Sequence, residues 1–192
     1  TSIHPLQGCL RAEIETAAGR IFHTADWKID KAPVVGREFS AARYESLGLR
    51  GVDAMISDST NAFVGGESPS EGDVRANLIE LIKWLDGRVV VTCFSSNIAR
   101  LISLIDAAIA SERRICLVGR SVSMMVECAK SLRMIDADLQ LVDQRYVGYL
   151  PKKEVLVIAT GSQGESGSGL SRLSMDTHRH ISLEKGDTVI FS

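Results

Sequence analysis

Hydrophobic and polar residues alternate with short periods in the first third of the chain. Residues 10–16 repeat with a period of two, which is typical of a half-exposed strand, and Ala18-Gly19 then predicts a turn. The predicted elements of this region are strands over 10–16 and 20–23, a polar helix over 41–47 and a buried strand over 52–56. A loop rich in hydroxyl and carboxylate groups, residues 57–61, follows the last strand.

After residue 61 the pattern changes to apolar stripes at helical spacing, separated by short β-branched runs. The predicted helices lie around 74–85, 97–110, 122–132 and 170–175, and the predicted strands over 88–94, 115–118, 139–142, 155–160 and 188–191. Strands and helices that alternate with short links predict a mostly parallel sheet flanked by helices on both faces. The chain is therefore expected to be an α/β protein with two regions, residues 1–61 and 62–192.

Composition narrows the class of protein without identifying it. Of 192 residues, 45% are hydrophobic and 24% charged, which is ordinary for a globular protein, and the formal net charge of −2 predicts no global attraction to nucleic acid. The four cysteines are far apart and predict buried thiols in a reducing compartment. No apolar run is long enough to span a membrane, so a cytoplasmic protein is expected.

Asp26 is a candidate metal ligand because it is expected just beyond the end of a strand, next to the small residues Thr24 and Ala25. A carboxylate held in this way is a suitable ligand for a hard or borderline metal ion. The alternative is that Asp26 is a solvated turn residue.

Three polar loops follow predicted strands of the second region. Their residues are Ser95-Ser96-Asn97, Gly119-Arg120-Ser121 and Gly161-Ser162-Gln163-Gly164-Glu165. The carboxyl ends of parallel strands share one edge, where backbone N–H groups, hydroxyls and helix N-termini can bind an anion. Arg100 and Arg120 add positive charge. The alternative is that these serines and asparagines only cap helices. The Gly161 loop lacks the Gly-Lys-Thr ending of a Walker motif.

Histidines and tryptophans provide weaker indications of function. His178 and His180 could lie on the same face of a strand and bind a metal, although such a pair is more often part of a polar surface than a ligand set. His23 either supports Asp26 or packs in the hairpin. Trp27 and Trp84 are predicted to be core or boundary residues, with no indication of base stacking.

Five ordered motifs resemble those of the ribonuclease J family over essentially the whole chain. They are His23-Thr24-Ala25-Asp26-Trp27-Lys28, Ser57-Asp58-Ser59-Thr60-Asn61, Ser95-Ser96-Asn97-Ile98-Ala99-Arg100, Gly119-Arg120-Ser121 and Thr160-Gly161-Ser162-Gln163-Gly164-Glu165. The resemblance implies the C-terminal part of a metallo-β-lactamase half, residues 1–61, followed by a β-CASP domain, residues 62–192. It also implies a hydrolase that cleaves RNA with two zinc ions, as a 5′ exonuclease, an endonuclease or both, in RNA processing and decay.

The resemblance assigns roles to individual residues. Asp26 corresponds to the carboxylate that bridges the two metal ions, and an anion is needed there because two cations share it. His4 corresponds to a metal-binding histidine, although a match through Ser2-Ile3 would place Thr1 at that position instead. Asp58 corresponds to an acidic residue that orients a histidine or relays a proton. Ser95, Ser96, Asn97, Arg100, Arg120, Ser162, Gln163 and Glu165 correspond to RNA-binding positions.

The chain also departs from the family pattern. Ala99 stands where the family often has histidine, and the His-x-His-x-Asp-His cluster and the closing histidines are expected before residue 1 and after residue 192. We therefore expect an internal fragment that is inactive alone, from a parent that is homo-oligomeric, binds RNA and does not enter a membrane. The alternatives are a non-catalytic RNA-binding scaffold of the same fold and, third, a small-molecule hydrolase of the metallo-β-lactamase superfamily.

Overall fold

A computed structural model describes residues 2–6 and 11–192, with side chains from residue 12 onward. It divides the chain into two compact units, unit 1 (Thr1–Glu71) and unit 2 (Gly72–Ser192). The predicted boundary after residue 61 falls inside unit 1. The assignment of 1–61 to a metallo-β-lactamase part and of 62–192 to a β-CASP part stays a prediction.

Unit 1 contains a four-stranded sheet and one helix. Its elements are β1 (Ser2–Leu6), β2 (Arg11–Thr16), β3 (Gly19–His23), α1 (Ala41–Arg50) and β4 (Ala54–Ile56). The strand order is β1-β2-β3-β4, with antiparallel pairing of β1 to β2 and of β2 to β3, and parallel pairing of β3 to β4. The predicted hairpin and helix are confirmed. Strand β1 was not predicted, because residues 1–7 show no clear period.

The prediction of a buried strand over 52–56 is wrong in burial and length. Strand β4 has three residues, and Met55 and Ile56 are exposed. The strand lies at the end of the order, so within the described residues it pairs only with β3. An apolar strand is buried only when a helix or a second sheet packs over it. The described residues of unit 1 do not cover β4 in this way.

Glu13 in β2 is a buried acid with two arginine partners. Arg50 Nη2 donates to Glu13 Oε2 over 2.8 Å, and Arg20 Nε lies 3.0 Å from Glu13 Oε1. This second contact lacks hydrogen-bond geometry, because the same N–H donates to Glu15. Arg20 also donates to the backbone carbonyls of Arg50 and Gly51 at the end of α1. The ion pairs thus connect the hairpin to the helix.

Unit 2 is built on a parallel sheet. Its elements are α2 (Glu71–Lys83), β5 (Val89–Thr92), α3 (Ile98–Ala110), β6 (Arg114–Val118), α4 (Arg120–Ser131), β7 (Val155–Ala159), α5 (Gly169–Ser174) and β8 (Thr188–Phe191), with 3₁₀ helices over Gln144–Tyr149 and Lys152–Glu154. The strand order is β6-β7-β5-β8, and all three pairings are parallel. The prediction of a mostly parallel sheet flanked by helices is confirmed.

The two faces of this sheet have separate cores. Val89 and Val91 pack in a cluster with residues of α2, α3 and α4, such as Leu101. Val90 faces the other way and packs with Leu173 of α5, among others. Because both faces are covered, the strands are apolar at every position rather than alternating.

The predictions of a strand over 139–142 and of a core or boundary position for Trp84 are wrong. Residues 139–142 form a single bridge, Ile115 to Leu141, instead of a strand, and the chain then enters the first 3₁₀ helix. Gln144 Nε2 donates to Leu117 O over 2.6 Å and satisfies the edge of β6 in place of a longer ladder. Trp84 is exposed.

The cysteines agree with the prediction of buried thiols in part. Cys93 and Cys116 are buried, and burial raises the pKa of Cys116 to about 12. Cys128, on α4, is exposed, which corrects the prediction for that residue. Among the described residues, no helix has the length and hydrophobicity required to cross a membrane.

Candidate nucleic-acid interface

The carboxyl ends of β3 and β4 carry the acidic residues that the sequence singles out. The two strands are parallel, with His23 opposite Ile56, so both chains leave the sheet at the same edge. Thr24 is buried and joins the two loops: its N–H donates to Ile56 O over 2.9 Å and its Oγ1 accepts from Asp58 N over 3.2 Å. The structure therefore brings the Asp26 and Asp58 loops together.

Asp26 itself is exposed, and the backbone before it is constrained. Ala25 has a φ of +49°, a left-handed conformation that only a small share of non-glycine residues adopt. Its N–H donates to His23 Nδ1 over 3.0 Å, so His23 supports the turn through this nitrogen. Trp27 Nε1 donates to Asp58 O over 3.1 Å and adds a second connection between the loops.

Asp58 is half-buried, and its carboxylate has local partners. Its Oδ1 accepts from Thr60 N over 3.0 Å and from Thr60 Oγ1 over 2.5 Å. These two hydrogen bonds, the hydroxyl contributing most, lower the pKa of Asp58 below its ordinary value. Within the part of the chain that has described side chains, no histidine donates to Asp58. Its role as an orienting or proton-relaying group stays a prediction.

The described residues do not assemble a metal site. No group of three or more histidine, cysteine, aspartate or glutamate side chains converges anywhere in residues 12–192. A zinc ion normally takes four ligands, so Asp26 and its neighbours alone do not fit one. The side chain of His4, and Thr1 as its alternative, lie outside the described residues.

His178 and His180 lie in a loop, not on a strand. Their rings are perpendicular, with centroids 6.5 Å apart, and His178 Nδ1 accepts from Ile181 N over 3.2 Å. Desolvation, followed by the charge of Arg172, lowers the pKa of His178. The expectation that the two imidazoles share one face of a strand is wrong, and no third ligand joins them among the described side chains.

The three polar loops of unit 2 lie at the carboxyl ends of adjacent strands, as predicted. Loop 95–97 follows β5, loop 119–121 follows β6 and loop 161–165 follows β7, and in the sheet β7 lies between the other two. Ser192 follows β8 at the same edge. We call this edge, formed by these three loops and Ser192, the rim.

The loop after β5 combines capping with a cation. Asn97 Oδ1 accepts from Arg100 N over 3.0 Å and caps α3, so the capping alternative is correct for this side chain. Ser95 is half-buried and Ser96 is exposed. Arg100 Nη1 donates to Ser192 Oγ over 2.7 Å, which joins the ends of β5 and β8.

The loop after β6 presents an unpaired cation. Gly119 has a φ of +134°, and a Cβ there would lie 2.6 Å from Thr160 Oγ1, so glycine allows the loops after β6 and β7 to approach. Arg120 begins α4 and is exposed. Within the described residues it has neither an ion-pair nor a hydrogen-bond partner.

The loop after β7 is rich in glycine and contains a buried hydroxyl. Ser162 Oγ is buried and has no partner among the described residues. Gln163 N donates to Glu165 Oε2 over 3.1 Å, so Glu165 closes the loop on itself. Ser168, further along, caps α5 by accepting from Ser171 N over 3.2 Å.

Sequence reasoning missed three residues that lie beside the rim. The strand over 88–94 was predicted to be buried throughout, but Phe94 is exposed, as is Phe191. Thr92 is fully buried, and its Oγ1 has no hydrogen-bond partner in the described structure. The position of Phe94, directly before a polar loop, was the only sequence feature that could have indicated its exposure.

Comparisons with known proteins agree with the resemblance. The profile of the family described as "Ribonuclease J, beta-CASP domain" matches residues 86–192. Ribonuclease J of Mycolicibacterium smegmatis is 41% identical over 190 residues, covering 98% of this chain and 34% of the relative. That of Sinorhizobium meliloti is 37% identical over 189 residues, with the same coverage of 98% and 34%. That of Helicobacter pylori strain B128 is 40% identical over 180 residues, covering 93% and 26%. The chain spans about a third or less of the length of these relatives.

Proposed function

This chain belongs to the ribonuclease J family, with its β-CASP domain in unit 2, and from that membership we propose that its rim binds single-stranded RNA within a ribonuclease. The observation that carries the proposal is the meeting of three polar loops at the carboxyl ends of adjacent parallel strands. Open parallel sheets bind ligands at this edge.

Each part of the rim has a chemistry that suits a phosphodiester backbone. Arg100 and Arg120 provide positive charge next to the N-termini of α3 and α4, whose backbone N–H groups favour anions. Ser95, Ser96, Ser162 and Gln163 provide hydroxyl and amide donors. Glu165 is an anion, so its proposed contact is as an acceptor from a ribose hydroxyl rather than with a phosphate.

The local charge explains how a chain with a net charge of −2 could bind RNA. Affinity for a single strand falls with salt by a slope of about 0.7 for each neutralised phosphate, so a few well-placed arginines are sufficient. Arg120 is the residue to test because it is exposed and has no protein partner within the described structure.

The experiment compares two arginines at opposite ends of α4. Arg120 begins the helix at the rim, whereas Arg133 follows its C-terminus and is also exposed. Binding of a fluorescent single-stranded RNA is measured by anisotropy at several salt concentrations. Arg120→Gln is expected to weaken binding and to reduce the salt slope by about 0.7, while Arg133→Gln changes neither. Equal losses in both variants would contradict an interface at the rim.

The catalytic part of the proposal concerns the two acidic loops. We propose that Asp26 and Asp58 belong to the hydrolytic centre of a zinc-dependent enzyme that cleaves RNA phosphodiester bonds, from the 5′ end, internally or both. Support comes from the loops being joined through Thr24 and Trp27. The described donors do not fit a zinc ion on their own, so further ligands are needed, with His4 the first candidate.

Replacing Asp26 tests this catalytic part. In the whole protein, Asp26→Ala is expected to abolish RNA cleavage and to lower bound zinc, measured by elemental analysis. Asp30→Ala is a control, because Asp30 Oδ2 caps Glu71 N over 2.9 Å and takes no part in the proposed centre. Unchanged cleavage in Asp26→Ala would contradict the assignment.

A non-catalytic RNA-binding scaffold is the second candidate. Ala99, in the first turn of α3, favours it, because a methyl group replaces a side chain that could contact a base or a phosphate. The two candidates differ in one measurement. Whole protein that binds RNA but does not cleave it at any zinc concentration supports the scaffold.

A further inference from the structure

Two exposed phenylalanines lie at the ends of neighbouring strands in unit 2. Phe94 is 51% exposed and lies two residues after the end of β5, and Phe191, the last residue of β8, is 64% exposed. The preceding residues of β5, from Val89 to Val91, are fully buried. The greatest exposure in these strands is therefore at their carboxyl ends, next to the rim.

The register places the two rings on one face of the sheet. Phe191 is opposite Thr92, and Phe94 lies two residues after Thr92, so alternation directs all three to the same side. Adjacent strands lie about 4.8 Å apart and each residue advances about 3.3 Å, so the Cα atoms of the two phenylalanines are about 8 Å apart, which allows a different base to stack on each ring. Ser192 N donates to Thr92 O over 2.9 Å and keeps the strand ends paired.

A cation and polar donors border this aromatic pair. Arg100 Nη1 contacts Ser192, the residue after Phe191, and Ser95 and Ser96 directly follow Phe94. A protein partner usually requires a contiguous apolar patch, whereas here two rings are set among hydroxyls and a guanidinium. A nucleotide is complementary to this combination, because its flat base can stack on a ring while its phosphate contacts the guanidinium.

The hydroxyl of Thr92 is a further indication of a polar ligand. It is completely buried and has no hydrogen-bond partner within the described residues. A buried hydroxyl without a partner is uncommon and requires an explanation, such as a bound group or water. By register, it lies on the same face as the two rings.

We propose that Phe94 and Phe191 form a stacking platform for the bases of single-stranded RNA whose phosphates contact Arg100. This inference rests on the proposed function and adds a base contact to it. Stacking on phenylalanine tolerates any base, because every base has a π-face. The platform therefore distinguishes unpaired RNA from a bare phosphate chain, and also from a duplex, whose bases are already stacked.

The test uses two probes of equal length and charge. One is a fluorescent oligoadenylate of about ten nucleotides, and the other is the same ribose-phosphate chain without bases. Stacking contributes about 1–3 kcal/mol per base, so Phe94→Leu or Phe191→Leu is expected to weaken oligoadenylate binding roughly tenfold. Binding of the baseless chain and the salt slope are expected to stay unchanged, because no phosphate contact is removed.

Two variants serve as controls. Tyr149→Leu removes an exposed aromatic ring from the 3₁₀ helix over Gln144–Tyr149, which is not one of the loops that form the rim, and is expected to bind both probes like the unaltered chain. Phe94→Tyr keeps an aromatic face and is expected to retain most of the base-dependent affinity. If Phe94→Leu fails to melt cooperatively, the oligoadenylate affinities of Phe94→Tyr and Phe191→Leu are compared instead. Retained affinity in the first and reduced affinity in the second support the platform, and equal affinities contradict it.

The outcomes separate this inference from the function on which it rests. Salt-dependent binding with equal affinity for both probes would overturn the platform and leave the RNA-binding proposal intact. A loss in Phe94→Leu that is the same for both probes would also overturn the platform. If neither probe binds, the proposed RNA-binding function of the rim fails, and the platform fails with it.

Discussion

Unit 1 and unit 2 each contain a four-stranded sheet, but they bury very different surfaces. In unit 2, apolar side chains are buried on both faces of the sheet, in two clusters. In unit 1, Phe22 and Leu47 are the buried hydrophobic residues among the described side chains, while Met55, Ile56 and Phe63 are exposed. The strands of unit 2 are therefore stabilised mainly by hydrophobic burial. In the described part of unit 1, ion pairs and loop hydrogen bonds contribute a larger share.

The ion pairs of the two units differ in the same way. In unit 2, the side chains of Arg88 and Asp187 are both buried and their charged groups lie 2.5 Å apart. In unit 1, Glu13 is buried, but its partners Arg20 and Arg50 remain 22% and 49% exposed. A buried pair depends on both members, whereas an exposed arginine that loses its partner is solvated by water.

The largest expected effect is therefore from Asp187→Ala. This change leaves the buried Arg88 guanidinium with the Ser182 carbonyl and a longer, 3.6 Å contact to the exposed Glu184 in place of its buried carboxylate, which costs about 3–5 kcal/mol in the free energy of unfolding. Glu13→Ala is expected to cost about 1.5–3 kcal/mol, because water can reach both arginines. Hydrogen exchange followed by mass spectrometry measures both changes, since it reports on peptides from each unit separately.

The test compares the losses in the free energy of unfolding of the two variants and does not depend on either value alone. Faster exchange in β5 and β8 for Asp187→Ala, and in β2 and α1 for Glu13→Ala, would locate each loss in its own unit. A larger loss from Glu13→Ala than from Asp187→Ala would contradict the ranking by burial.

A second comparison uses two isoleucines in parallel strands. Ile158 in β7 is fully buried, whereas Ile56 in β4 is 54% exposed. Ile158→Ala is expected to destabilise unit 2 by about 2–5 kcal/mol through the cavity it leaves. Ile56→Ala is expected to change stability by about 0.5 kcal/mol or less. Denaturant unfolding of each variant gives the values, and similar losses would show that β4 is buried in solution.

These two residues also show how far the fold could be predicted from the sequence. An apolar run predicted a strand around each of them, although β4 is shorter than predicted, because side-chain type and period indicate a strand. Burial was predicted correctly only for Ile158. The helices that cover its strand, β7, are predicted by the sequence of the same unit. Nothing in the local sequence around Ile56 indicates whether a second layer covers it. Likewise, residues 139–142 form a single bridge at Leu141, and the Gln144 side chain donates to Leu117 O nearby. The hydrophobic periodicity of the sequence does not indicate a side-chain hydrogen bond of this kind.

The candidate site could be predicted in position but not in detail. Polar residues after strands located the rim and the Asp26 and Asp58 loops, since parallel strands end at a common edge. The contacts that connect them are tertiary: Thr24 joins two loops 34 residues apart in sequence, and Arg100 contacts Ser192, 92 residues away. The exposure of Phe94 was missed because an aromatic residue that ends a buried strand resembles the core residues before it.

The smallest expected effect concerns two carboxylates, one in each unit: Asp143 is exposed and Asp58 is half-buried. Hydrogen bonds from the side chain and backbone of Arg145 lower the pKa of Asp143 to about 2, while the Thr60 hydroxyl and N–H lower the pKa of Asp58. A carboxyl group whose pKa is lower in the folded state stabilises the protein above its unfolded pKa, about 3.9 for aspartate, and this contribution is lost as the pH falls through the folded value.

Removing the donors tests these causes. Arg145→Gln is expected to raise the pKa of Asp143, and Thr60→Val to raise that of Asp58, each leaving the other carboxyl unchanged. Carbon-detected NMR titration of the aspartate carboxyls measures both pKa values.

Asp143→Asn is expected to flatten the loss of unit 2 stability between about pH 4 and pH 2, because the titrating group is gone. If salt reduces the shift of Asp143 more than that of Asp58, the charge of Arg145 contributes beyond hydrogen bonding. Equal salt effects on the two would attribute both shifts to the donors' hydrogen bonds alone.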